Sequence, residues 1–260
     1  MTTAFLAFYS VWLREAVRFV RQPNRIVGAV GPPVLIWLFV GSGFGASFRL
    51  AGESGVGYLE YLLPGIIALI VLFASIFSAM SVIEDRREGF LDGVLVTPAP
   101  RSVVVGGKIA GGSSQAFVQG AILVLAAPLA VPGLGLGAVA TALGSLALVA
   151  VGLTAFGCAM AWRMDSTQGY HAIMNLLLMP MWLLSGAVFP LTGAPVVMRW
   201  LMLANPMTYA VAAIRGPFYA GSAASAPGPV SFELAIGVTF AFAVLMAALA
   251  TAMAARPARA

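Results

Sequence analysis

The sequence predicts an all-α integral membrane protein with six transmembrane helices and an N-terminal amphipathic helix. Three observations predict it. Hydrophobic residues make up 61% of the 260 and charged residues only 9%, where a soluble domain carries roughly 25% charged, and the mean hydropathy is +0.98. Apolar runs of about 20 residues, each long enough to cross ~30 Å of hydrocarbon, recur along the chain and leave little length for a separate soluble domain. Finally, the arginines of the connecting segments collect on one side of those runs.

The first element, "MTTAFLAFYSVWLREAVRFVRQPNR" (residues 1–25), places its apolar residues before its charges. That is the reverse of a signal peptide, so no cleavage is expected. At about 100° per residue, Phe5, Phe8, Trp12 and Phe19 share a stripe, with Arg14, Arg18, Arg21 and Arg25 nearly opposite. This pattern suits a helix lying in the interface with its arginines toward headgroups. The alternative is a cytoplasmic helix packing its aromatics on another protein. Pro23 ends the helix. Spans follow at Ile26–Ala46, Leu59–Val82, Val103–Leu129, Leu134–Trp162, Gly169–Val188 and Phe232–Ala254.

Orientation follows from the basic residues. One side holds Arg14, Arg18, Arg21, Arg25, Arg86, Arg87, Arg101, Lys108, Arg163, Arg256 and Arg259, and the other Arg49, Arg199 and Arg215. Eleven against three assigns both termini to the cytoplasm. The net charge of +5 is then a consequence of topology that needs no nucleic acid as partner, though it suits anionic lipid in the bilayer.

Several chemistries lack their residues. Lys108 in "VVVGGKIAGG" is followed by Ile109 and preceded by Ser102 at the first glycine position of a P-loop, so the chain is not expected to hydrolyse ATP itself. His171 and Ser185 stand fourteen residues apart, about 21 Å along one helix at ~1.5 Å per residue, too far for a serine–histidine couple. One His and one Cys, Cys158, leave no metal cluster and no intrachain disulfide. The spans keep acidic and histidine side chains away from mid-membrane, Glu233 standing at an outer end, which disfavours an ion-coupled carrier. Small residues are abundant instead: Gly107/Gly111 and Gly133/Gly137 each make a G-x-x-x-G, and "GGSSQAFVQG" (Gly111 to Gly120) gives the third span a Gly/Ser/Gln face. These predict close helix packing, a polar path being the alternative.

One stretch is too polar to span: "IEDRREGFLDGVLVTP", from Ile83. Phe90, Leu91, Val94 and Leu95 recur there at helical spacing, predicting a short helix stopped by Thr97-Pro98 and Pro100. Its apolar face is expected to be exposed and to dock a partner protein. The bland alternative is a solvated loop that satisfies the positive-inside rule.

Six spans, the N-terminal helix, "EDRREGFLDGVLVTPAPRSVVVGGK" after the second span and "NPMTYAVAAIRG" (Asn205 to Gly216) before the last together resemble the permease subunits of type-2 ABC exporters. That branch includes daunorubicin-type drug efflux and nodulation lipo-oligosaccharide export. The resemblance covers nearly the whole chain and implies a single transmembrane domain over residues 1–260, with an interfacial helix at 1–25, a cytoplasmic coupling loop at 84–101 and an outer segment at 189–231. The resemblance further implies that short re-entrant pieces of that outer segment dip into the membrane before the last span. The resemblance also implies that Glu84, Asp85, Arg86, Arg87, Glu88, Gly89, Phe90, Leu91, Val94 and Leu95 form the coupling helix and its approach, set in a cleft of a separate ABC ATPase subunit. ATP and Mg would be bound by that subunit and no cofactor by this chain. The working unit would pair this chain with a second copy of itself or a sister permease in a bacterial cytoplasmic (inner) membrane. The apolar spans suit a drug, a lipid or a lipid-linked saccharide as cargo. A non-transport membrane scaffold and an ion-driven carrier are the rival readings.

Overall fold

The computed structural model describes residues 2–44, 57–95, 100–131, 133–190, 195–220 and 230–255. Among these every regular element is a helix: α1 (Thr2–Arg21), α2 (Pro23–Phe44), α3 (Tyr58–Arg87), α4 (Phe90–Leu95), α5 (Arg101–Ala130), α6 (Leu136–Ala161), α7 (Thr167–Leu183), α8 (Val196–Ala204), α9 (Pro206–Tyr219) and α10 (Phe232–Ala255). Arg49, Thr97, Pro98, Arg256, Arg259 and the side chains of Arg25 and Leu95 lie outside the described set.

Among the described residues five helices, α2, α3, α5, α6 and α10, are long and apolar enough to cross a bilayer. The 17-residue α7 is shorter than the predicted fifth span because it ends at Leu183, and Gly186 (φ 78°) turns the chain there. It still runs alongside α3. Near its start the Tyr170 hydroxyl donates to the Gly157 carbonyl, and near its end Trp182 Nε1 donates to the Gly65 carbonyl at 2.8 Å. His171 sets its ring edge-on to Phe77, and Ser185, beyond the helix, donates to the Trp182 carbonyl, so no serine–histidine couple forms.

Helix α3 is apolar on every side and sits at the centre, with Tyr61, Leu62, Ile66, Ile67, Leu69 and Ile70 fully buried, as an all-round hydrophobic helix requires. Helices α2 and α10 stand at the periphery and leave Leu35, Phe39, Phe240 and Leu245 exposed, the surface that lipid covers. In lipid, apolar burial cannot drive helices together, so close backbone approach does. Gly107 and Gly111 provide it: a Cβ on Gly107 would lie 2.9 Å from the Val11 Cβ, and one on Gly111 2.5 Å from the Glu15 Cβ. This first G-x-x-x-G packs α5 on α1. The second does not pack, since a Cβ at Gly133 or Gly137 meets nothing and Gly133 (φ 89°) serves the α5–α6 turn.

Helix α1 corrects its predicted orientation. Residues of rising number on α1 meet residues of rising number on α5: Phe8 beside Gly106, Val11 beside Gly107, Glu15 beside Gly111. The two helices lie side by side, with Phe8, Trp12 and Phe19 half-buried and Trp12 Nε1 donating to Ser114. The exposed apolar stripe is Phe5, Leu6, Tyr9, Leu13, Val17 and Val20. A stripe drawn through aromatic residues alone passed over Leu and Val, and those set the outer face. The chain bends at Gln22, and Pro23 opens α2, where its missing N–H costs nothing.

The helix ends sort the charges. Arg101 Nη1 donates to the carbonyl of Ala254 at 2.9 Å, and Arg86 Nη2 to that of Trp162 at 2.9 Å. These bonds gather the C-terminal ends of α3, α6 and α10 with the start of α5, and satisfy carbonyls that a helix end leaves unpaired. At the opposite end Trp37 donates to the Leu59 carbonyl and Tyr61 to that of Gly186, gathering α2, the start of α3 and the end of α7.

Candidate functional site

At the charged end, four elements meet around Asp85. Glu84 to Arg87 form the last turn of α3. Glu88 N–H bonds back to the Glu84 carbonyl and Gly89 N–H to that of Arg86, with Gly89 at φ 73°. That left-handed corner is open to glycine at little strain and reverses the chain directly into α4. The motif's glycine is therefore the hinge between the charged turn and the short helix.

Asp85 is fully buried and is met from three sides. Lys108 of α5 donates to its Oδ2, Arg14 Nη1 reaches Oδ2 at 2.5 Å, and Arg18 Nη1 reaches Oδ1 at 3.3 Å. Lys108, 2% exposed, also donates to Glu15 Oε1 at 2.5 Å and to the Ser81 hydroxyl at 3.1 Å. Arg18 lies 3.5 Å from Glu84. Three cations thus face three carboxylates, which is how charges withdrawn from water are tolerated, since each alone would cost several kcal/mol. Around this cluster the Arg14 guanidinium stacks 3.7 Å above the Phe90 ring, an attraction of about 1 kcal/mol or more when desolvated. Arg86 pairs with Asp165 at 3.3 Å and lies over Trp162.

The apolar face of α4 is the main correction. Leu91 is 1% exposed, packed with Val11 of α1 and Val104 of α5, with Val94 and Trp162 against them. Leu91 and Val94, two of the residues expected on an exposed docking face, therefore hold α4 to its own chain instead. A helix of six residues has too little hydrogen bonding of its own to persist, so this packing maintains it. The side that remains exposed carries Arg87, Glu88, Gly89 and Gly93.

Sequence reasoning named the motif residues but missed their partners. From the sequence alone, Arg14 is turned toward headgroups, Lys108 is counted among the basic residues of the cytoplasmic side and Glu15 is given no role. The signal was present in Lys108, a charge inside a predicted span, which a membrane tolerates only when paired. Arg215, counted as an outer-loop charge, is buried as well. It donates to the carbonyl of Gly186 at 3.0 Å and to those of Ala187 and Tyr61 at 3.4 Å, with its guanidinium 4.3 Å from the Tyr61 ring. Among the described residues, no three His, Cys, Asp or Glu side chains gather as metal ligands.

The Asn205 stretch forms a corner between α8 and α9. Asn205 Oδ1 accepts from Met207 N–H as an N-cap, Pro206 occupies the first helical position, and Asn205 Nδ2 donates to the Met181 carbonyl at 2.6 Å. The Thr208 and Tyr209 hydroxyls donate back to the carbonyls of Met202 and Leu203. Each polar residue of Asn-Pro-x-Thr-Tyr thus satisfies a main-chain group freed by the bend.

Residues 6–219 match the family described as ABC-2 type transporter. The chain belongs to that family. The matched segment begins in α1 and ends at the last residue of α9, so it contains both the Asp85 junction and the Asn205 corner. This ABC-2 chain is 25% identical over 218 residues to the inner membrane transport permease YadH of Escherichia coli strain K12, covering 82% of the chain and 83% of that protein. It is 25% identical over 225 residues to nodulation protein J of Rhizobium leguminosarum bv. trifolii, covering 81% and 80%. To nodulation protein J of Sinorhizobium fredii it is 26% identical over 212 residues, covering 80% and 76%. The resemblance read from the motifs is therefore established at the level of family, and one of these relatives, YadH, is named an inner membrane transport permease.

Proposed function

We propose that this ABC-2 chain is the membrane-spanning permease subunit of an ATP-driven exporter. It would move a hydrophobic or amphipathic molecule (drug, lipid or lipid-linked saccharide) outward across a bacterial inner membrane. A separate ABC ATPase binds ATP and Mg, and a second copy or a sister permease completes the unit. In this reading α7 serves as the sixth span, α8 and α9 form the outer segment, and the end bearing Asp85 faces the cytoplasm. The excess of arginine there supports that orientation.

The observation that carries the reading is α4, held by Leu91 and Arg14 and joined through Asp85 and Lys108 to α1 and α5. A short helix tied to several spans can pass a displacement to all of them, which is what an ATPase dimer that closes on ATP requires of its partner. The ATPase would meet the exposed side of this turn, Arg87 to Gly89 and Gly93. The coupling role thus divides the motif residues: Arg87, Glu88 and Gly89 for contact, and Glu84, Asp85, Arg86, Phe90, Leu91 and Val94 for bracing, with the Leu95 side chain outside the described residues.

The test is purification of the tagged chain from its own host, with and without cross-linking at residue 88, followed by transport in inside-out vesicles. Export requires a co-purifying ATPase, persists with a protonophore and stops without ATP. Transport that collapses with the proton gradient while ATP remains would make the chain an ion-driven carrier, and absence of any ATPase would make it a scaffold.

A further inference from the structure

Further along α5 than Lys108, a narrow crevice of about 10 Å³ opens between α1, α3 and α5, lined by Glu15, Arg18, Gln22, Ser78, Gln115 and Gln119. A void of this size admits one water-sized group. Gln119 is 4% exposed, and its Nε2 donates to the Gln115 carbonyl at 3.4 Å. That contact fixes the amide, because the flipped form would set oxygen against oxygen. Its Oε1 is left buried with no donor, and Gln22 Oε1 is in the same condition. Gln115 spends its own amide on the Glu15 carbonyl at 3.0 Å. Two buried carbonyl oxygens therefore line one small space, and buried acceptors of this kind are met by a donor.

The charges around the crevice select the donor. Arg18 lines it and Lys108 holds Glu15, so an ammonium group would be repelled. An anion would face two carbonyl oxygens, while Arg18 is already paired with Glu84 and Asp85. A neutral hydroxyl fits both constraints. Val118 and Ile122, which flank Gln119 along α5, are exposed apolar residues, so a donor carried on an acyl or other apolar body would have apolar surface to lie against beside the crevice.

We propose that the Gln22–Gln119 crevice binds a hydroxyl group of an amphiphile in the membrane and is a polar subsite for the exported molecule. This rests on the permease reading given above. The occupant is an O–H donor, which a lipid-like molecule, a soluble polyol or water could each supply, and the arms of the experiment separate these sources. The full chain is placed in phosphatidylcholine nanodiscs, whose headgroups carry no O–H or N–H donors. A monoacylglycerol with a diazirine in its acyl chain is compared with the methyl ester of the same tagged chain, and labelling is mapped to peptides of α1 and α5. The monoacylglycerol should label wild-type protein at least fivefold more than the ester. Unlabelled monooleoylglycerol should compete while an equal concentration of glycerol does not. Gln119→Leu and Gln22→Met should each bring the preference below twofold.

Equal labelling of wild type by the two probes overturns the proposal without needing any variant to fold. If, in addition, Gln119→Leu melts higher than wild type, the amides meet water only. Competition by glycerol would assign the crevice to soluble polyols and overturn the amphiphile, as would a preference retained in both variants. Because the assay needs neither ATP nor the ATPase, failure here leaves the permease reading standing, and loss of ATP-driven export leaves this result interpretable.

Discussion

Lys108 and Arg215 are both 2% exposed, one at each end of the bundle, and they are held by different chemistry. Lys108 meets the carboxylates of Glu15 and Asp85, side chains from two other helices. Arg215 meets the main-chain carbonyls of Gly186, Ala187 and Tyr61 and the face of the Tyr61 ring. Carbonyls are fixed by the backbone that bears them, whereas carboxylates on neighbouring helices can exchange partners as those helices move. Arg14, Arg18 and Lys108 all compete for Asp85, so the charged end has alternative pairings built in, and the Arg215 end has a fixed cradle. In the function proposed above, a transporter needs one end that responds and one that holds, and this difference in ligand type would make the α1–α3–α4–α5 junction the responsive part.

The largest effect should come from breaking the responsive end. Lys108→Met leaves Glu15 and Asp85 buried against each other with one cation fewer. Removing one partner of a buried pair typically costs about 3–5 kcal/mol. Little monodisperse protein should be recovered, and what is recovered should melt well below wild type. Adding Asp85→Asn removes the excess negative charge and should restore a good part of that loss. A double variant no better than Lys108→Met would show that lysine packing, and not charge balance, is what the site requires.

Leu91→Ala comes next. Truncating a fully buried leucine costs about 2–5 kcal/mol, and here the loss falls on the attachment of α4 to Val11 and Val104. The spans should remain folded by circular dichroism while protease sensitivity rises within residues 84–100. Wild-type sensitivity would mean that the ionic contacts alone hold α4. For the same reason loss of ATPase binding on substituting Leu91 would report an unseated helix, and an exposed residue must be used to probe docking.

At the holding end, Arg215→Lys keeps the charge and loses the fork that reaches several carbonyls at once. About 1–2 kcal/mol, the worth of roughly one hydrogen bond, should be lost, less than for Lys108→Met, by thermal melting in the same detergent. Equal losses at the two ends would remove the contrast between a carboxylate cluster and a carbonyl cradle.

The difference between the ends also explains what the sequence could tell. Apolar runs bounded by arginine located α3, α5, α6 and α10 closely, because span length and charge asymmetry are properties of a single segment. The Glu84–Leu95 region was legible as a charged turn and a short helix for the same reason. Its interior partners were not, since whether Leu91 faces a partner protein or Val11 depends on where α1 lies, and that depends on Gly107 and Gly111 admitting it. Lys108 and Arg215 looked like loop charges because counting by side of the membrane ignores depth. The Asn205 corner was identified by resemblance alone, and its cap and back-bonding hydroxyls became visible only with the bend itself.

The smallest expected effect on the fold bears most on function. Arg87 and Glu88 are exposed, and beyond Glu88's 4.0 Å approach to Arg14 the bracing around Asp85 does not use them. Reversing both, Arg87→Glu with Glu88→Lys, preserves net charge and should leave melting unchanged. If the ATPase meets this side of the turn, its binding should weaken several-fold through a faster off-rate or slower encounter, and the defect should shrink as salt rises, as interfacial rim charges do. The same reversal made at Glu233 and Arg199, toward the opposite end, should change neither binding nor its salt dependence. Binding that is insensitive to Arg87 and Glu88 at low salt, with export intact, would move the ATPase contact away from this turn. The responsive end would then be a structural clamp, and Asp85 would have to be read as holding the helices in place instead of relaying their motion.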